Sequence, residues 1–132
     1  MKTRLIMTIS AIFLGITGVG LTFFPHELSV WLVMSSSKSS ELMCQILGAL
    51  YFGFAMLNWM LKGGIIGGIY NRPAVIANCS HFFIGALALI KGALGAAVLP
   101  FGFWILTAAY MLFAGLFGWV LFRNPAGEKS QP

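Results

Sequence analysis

The chain has 132 residues, of which 59% are apolar and only 8% charged, against about 25% charged in an ordinary soluble domain. Eight basic and three acidic residues cannot coat the surface that so short a soluble chain exposes, so a soluble globular domain and a disordered chain are both excluded. The net charge of +5 does not point to nucleic acid, because the basic residues form no patch or run. They stand singly or in pairs at the edges of apolar stretches, as residues flanking membrane spans do.

A span needs about 20 mostly apolar residues, and four stretches qualify: 5–24, 42–61, 74–90 and 101–122. The first follows Met-Lys-Thr-Arg and so resembles a secretory leader, with small residues at Gly18 and Gly20. Its apolar run exceeds the roughly 7–15 residues of such a leader, and it is read as an uncleaved first helix closed by Pro25. Residues 26–33 are too apolar for a free loop and too short to span. They predict a short interfacial helix with Trp31 at headgroup depth. The serine-rich link that follows places Ser40 as N-cap of the second span, with Glu41 in its first turn.

The glycine-rich stretch 62–72 lacks the GxxxxGK[ST] or GxGxxG frame of a phosphate cradle and reads as a tight turn. Pro73 and Pro100 stand where the third and fourth helices should start. Lys91 can snorkel at the end of the third, and 92–99 forms a Gly/Ala-rich loop dipping into the interface. Pro125 closes the fourth helix, ahead of a polar tail over 124–132. The result is an all-α fold: an integral membrane four-helix bundle, one domain over 1–132, with a short interfacial helix in the first outer loop.

Orientation follows from the basic residues. Lys2, Arg4, Lys62, Arg72, Arg123 and Lys129 fall on one side, and only Lys38 and Lys91 on the other. Both termini are therefore expected in the cytoplasm, in what reads as a bacterial inner membrane.

Polar residues inside spans carry the functional question. The second span bears a small and polar stripe, Cys44, Gly48, Tyr51, Ala55, Asn58 and Lys62, whose steps of three and four put it on one face. The third bears Ala74, Asn78, His81, Gly85, Ala88 and Gly92. Small-residue pairs that permit close helix approach occur at Ala11 and Gly15, Ala49 and Gly53, and Ala114 and Gly118. Counting about 1.5 Å per residue puts Asn58 and Asn78 at similar depth, His81 slightly further in, and Ser10 within reach. Ser10, Tyr51, Asn58, Asn78 and His81 are the candidate ligand-binding residues, and the alternative is that the polar cluster hydrogen-bonds across helices and only fixes their register. The same count separates Cys44 from Cys79 by about 15 Å, too far for a disulfide.

Several chemistries fail. No span holds the carboxylate that proton-coupled transport usually needs, which argues against small multidrug exporters. Cys44 and Cys79 form no CxxC pair. His26 and His81 lie at different depths, so they cannot share a haem. Three or four metal ligands are lacking, as is a base with an orienting partner. No catalytic residue, metal or cofactor is expected.

The stretches LGALYFGFAMLNWM (47–60), GGIYNRP (67–73) and HFFIGALAL (81–89), with four spans, short loops and a basic N-terminus, resemble the DoxX-like small bacterial membrane proteins and the related four-helix scaffold proteins of sterol biosynthesis. The resemblance covers about residues 5–122 as an architecture and implies a non-catalytic accessory or binding protein. Two readings follow. One is a non-enzymatic accessory or scaffold subunit, with the bilayer, another membrane protein or its own copies as partners. The other is a binder or transporter of a small apolar molecule or lipid, held between the second and third spans by a polar handle.

Overall fold

The computed structural model describes residues 2–33, 36–64 and 71–123. Among them are five helices and no strand: α1 (Lys2–Phe23), α2 (Pro25–Val33), α3 (Lys38–Leu61), α4 (Arg72–Gly95) and α5 (Phe101–Arg123). α1, α3, α4 and the Phe101–Phe122 part of α5 are long and apolar enough to cross a membrane. At about 1.5 Å per residue each measures roughly 33–36 Å, against about 30 Å for a hydrocarbon core. α2 is the short helix expected at 26–33. Most of the turn read at 62–72, part of the serine link, and the tail at 124–132 lie outside the described residues.

Two local expectations need correction. α3 starts before Ser40: its N-cap is Ser37, whose Oγ accepts from the Ser40 amide while Ser40 Oγ accepts from the Ser37 amide. This reciprocal box satisfies two otherwise orphaned donors with two serines. α4 continues past Ile90 to Gly95, so the third loop shrinks to the residues before α5. One helical glycine costs only about 1 kcal/mol relative to alanine, too little for Gly92 to end a long helix. The chain turns extended at Ala96, ahead of Pro100. Trp31 is 46% exposed. Its ring lies on Gly102 of α5, where any side chain would collide with it.

The helices pair as α1 with α3 and α4 with α5, while α3 meets α4 only over a short stretch. Gly18 and Gly48 set the first pair. A Cβ on Gly18 would lie 2.8 Å from the Gly48 carbonyl, and one on Gly48 would lie 2.7 Å from the Gly18 carbonyl, so these backbones touch because neither residue carries a side chain. The expected small-residue seams hold only in part. Gly15 meets Ala55 at 3.6 Å, whereas Gly53 and Gly118 face nothing within 4 Å.

Aromatic rings join the two pairs. Phe82 stacks on Phe113 (4.9 Å) and on Phe117 (5.7 Å), and Phe113 meets Phe13 of α1 at 5.2 Å. Around this core the outer surface is apolar on every long helix, with Ile16 70% and Phe122 84% exposed. The buried positions meanwhile include Ser10, Asn58 and Asn78. A bundle folded for water has the opposite distribution.

Candidate functional site

The polar stripes of α3 and α4 do turn inward over much of their length. Gly48, Tyr51, Ala55 and Asn58 are buried, as are Ala74 and Asn78. Beyond Asn78 the buried side of α4 shifts to Phe82 and Ala86, leaving Ala88 and Gly92 exposed. The single cluster expected from depth alone is thereby split into two.

The lower cluster is Ser10, Asn58 and Asn78, each fully buried. The two carboxamides pair reciprocally: Asn58 Nδ2 donates to Asn78 Oδ1 at 2.8 Å, and Asn78 Nδ2 donates to Asn58 Oδ1 at 2.7 Å. The second hydrogen on Asn58 goes to Ser10 Oγ at 3.0 Å, and the second on Asn78 goes to the Ala74 carbonyl at 2.8 Å. Ser10 passes its own hydrogen to the Met7 carbonyl at 3.0 Å. Every hydrogen these side chains carry is used, so no donor is left to offer a ligand. The cluster clasps α1, α3 and α4 together, the arrangement a register-fixing role requires.

The upper cluster takes the other two candidates, Tyr51 and His81, and adds Tyr110 of α5. The Tyr51 and Tyr110 hydroxyls are hydrogen-bonded to each other, and the Tyr110 hydroxyl lies 3.1 Å from His81 Nε2. His81 parts from Asn78 because three residues turn a helix through about 300°, enough to swing its ring off the clasp. The imidazole stacks on Phe54 at 5.0 Å and meets Tyr51 edge-on at 5.4 Å. Gly85 makes this possible, since the Tyr110 ring occupies the space where a Cβ would stand.

Tyr110 was not among the expected residues. Its signal was Thr107 and Tyr110 three apart on an otherwise greasy helix. Thr107 proves to be a self-satisfied hydroxyl that donates to the Phe103 carbonyl at 2.8 Å.

The upper cluster opens onto a groove of about 570 Å³ between α3, α4 and α5. Its wall includes Leu47, Tyr51, Ser80, His81, Ala88 and Tyr110. A second groove of about 570 Å³ runs along α4 and α5 past Cys79, Met111, Gly115 and Gly118. It offers no hydroxyl, amide or imidazole.

At the far end of α3 a third polar group ties α2 to α3. Ser36 donates to Glu41 Oε1 at 2.7 Å, and His26 Nδ1 lies 3.0 Å from the same oxygen. This group is exposed and belongs to the loop. Both cysteines are free thiols. Among the described residues no three His, Cys, Asp or Glu side chains gather as a metal site would require.

Comparison with known proteins adds no relative: no family model matches the chain, and neither a curated protein nor a solved structure matches it.

Proposed function

We propose that this chain is a non-enzymatic four-span membrane protein that binds a small apolar molecule or lipid in the groove between α3, α4 and α5. The observation that carries the reading is the polar chain Tyr51–Tyr110–His81 on the wall of a 570 Å³ groove. Concave, mostly apolar sites with a few placed polar groups are the usual form of small-molecule sites. The apolar outer surface supports insertion in a bilayer. The excess of basic residues at the ends of α1, α3 and α5 supports cytoplasmic termini in a bacterial inner membrane. The absence of an enzymatic role is supported by the surroundings of His81, which is hydrogen-bonded to a tyrosine and not to the carboxylate that would orient it as a base. The resemblance to DoxX-like proteins fits the same non-catalytic role.

A second reading, an accessory subunit packed against a partner helix, draws on the groove along Gly115 and Gly118, where a Cβ would meet nothing within 4 Å. The experiment is native mass spectrometry of the full chain from mild detergent, beside Ala88→Phe, which fills the first groove from its exposed rim. The binding reading expects a small-molecule adduct on wild type that Ala88→Phe loses while keeping its helicity. An adduct-free wild type that runs as an oligomer would transfer the case to the accessory reading. Orientation is tested separately. In a cysteine-free background, Ser39→Cys should react with an impermeant reagent added outside spheroplasts, and Ser130→Cys should not.

A further inference from the structure

This inference rests on the groove reading above and names the chemistry of the occupant. Three hydrogens must be placed along the upper cluster, two phenolic and one on a neutral imidazole. Tyr51 is 4% exposed, and its hydroxyl has one hydrogen-bond partner, Tyr110. If Tyr51 donates to Tyr110, then Tyr110 donates to His81 Nε2 and the imidazole hydrogen resides on Nδ1. The reverse order puts that hydrogen on Nε2, points Tyr110 at Tyr51 and strands the Tyr51 hydrogen in the interior. If Tyr110 instead accepted from both neighbours, its own hydrogen would be stranded on a residue that is 3% exposed. Buried donors without acceptors are strongly disfavoured, so the first order holds.

His81 Nδ1–H then remains. It has no protein hydrogen bond, yet no buried side-chain nitrogen or oxygen among the described residues lacks a partner. Nδ1 is therefore accessible, on a residue that lines the groove. Ser80, the preceding residue, lines it too. Thr8, Ser10, Thr17, Thr22, Ser29 and Thr107 all donate back to a carbonyl three or four residues earlier. The Ser80 hydroxyl makes no such bond and has no partner among the described residues. Two adjacent donors, an N–H and an O–H, thus face an otherwise apolar groove.

We propose that the groove recognises a neutral, lipid-soluble molecule bearing a carbonyl oxygen on an apolar body, the oxygen accepting from His81 Nδ1–H and the Ser80 hydroxyl. Depth narrows the class. His81 lies nine residues into the 24-residue α4, about 13 Å from its start, which is near mid-helix. A phospholipid headgroup held at the bilayer surface does not reach that level. A carboxylate has no cation there to offset its desolvation. A ketone, ester or quinonoid carbonyl needs only donors, and these the wall supplies.

The test uses the full chain in nanodiscs with a long-chain ketone carrying ¹³C at its carbonyl, against the alkane of equal length. Nitrogen NMR should find the His81 hydrogen on Nδ1. The ketone should be retained at least about tenfold over the alkane, with its carbonyl band moved to lower frequency. His81→Phe should bring ketone retention down to the alkane level, and Ser80→Ala should lower it several-fold. A hydrogen on Nε2, or equal retention of ketone and alkane with an unmoved band, overturns the carbonyl assignment and leaves the groove reading standing. Retention of neither probe by folded wild type overturns the groove reading itself. The tautomer and the infrared band need only wild type, so the test survives a variant that fails to fold.

Discussion

The Asn58–Asn78–Ser10 clasp and the Tyr51–Tyr110–His81 chain lie in one bundle and are built from comparable groups. In the clasp each amide hydrogen has an acceptor and each residue is fully buried. In the chain the polar groups run from a buried phenol to an imidazole on a groove wall, and one ring nitrogen is left over. In surroundings that cannot solvate polar groups, a saturated cluster can only hold helices in place. A cluster with spare capacity has something to offer a ligand. Polarity inside a span does not separate these roles, but a count of hydrogens does.

The largest effect should come from breaking the clasp on one side. Asn78→Leu removes both partners of the reciprocal pair's far half and leaves Asn58 with a bare carbonyl and a bare N–H. Stranding buried polar groups costs about 1–3 kcal/mol, and this variant should fall in the upper part of that range. Asn58→Leu/Asn78→Leu removes both halves and should be milder than either single change. Ser10 still has the Met7 carbonyl to donate to. Thermal unfolding in one detergent, followed by far-UV circular dichroism, gives all three values. If the double variant loses as much as the two singles added together, the residues are not a closed pair.

The chain should respond less in stability and in a different order. Tyr110→Phe strands the buried Tyr51 hydroxyl and should cost about 1–2 kcal/mol. Adding Tyr51→Phe removes the stranded donor and should recover most of that loss. Binding should not recover, because His81 Nε2 has lost the donor that fixes its tautomer. The same unfolding assay paired with native mass spectrometry separates the two readouts. Recovery of both stability and adduct in the double phenylalanine variant would show that the hydroxyl chain has no part in binding.

Much of this was legible in the sequence, and the failures have physical causes. Run length and basic residues located all four long helices and the short α2. Steps of three and four on α3 put Gly48, Tyr51, Ala55 and Asn58 on the buried face, because a stripe repeated over several turns averages out local accidents. Rise per residue found the Asn58–Asn78 pair. It could not separate His81 from that pair, because depth is one coordinate and the ring differs from Asn78 in azimuth. Small-residue spacing misled for a related reason. Ala49 and Gly53 have the right spacing on a face where Gly53 has no neighbour, and only tertiary structure says that Gly18 meets Gly48. Tyr110 was hidden because a lone tyrosine on α5 gains meaning only once Gly85 is placed beneath it. The α4 end point at Gly95 was missed because glycine weakens a helix without ending it.

The smallest stability effect and the most diagnostic one belongs to His81→Leu. The imidazole is only partly buried, and it makes one hydrogen bond, with Tyr110. Leucine is near it in size and brings no new polar group. The Tyr110 hydrogen loses its acceptor on a residue that is 3% exposed. The cost should be about 1 kcal/mol, the lower end of what a stranded buried donor costs. Against that modest loss the adduct expected on wild type should vanish. The same measurement on Asn78→Leu should run the other way, with lower stability and the adduct kept for as long as the protein stays folded. A stable His81→Leu protein that retains its ligand would erase the distinction between the two clusters. It would make the upper cluster a second clasp, and the groove a gap that lipid tails fill without recognition.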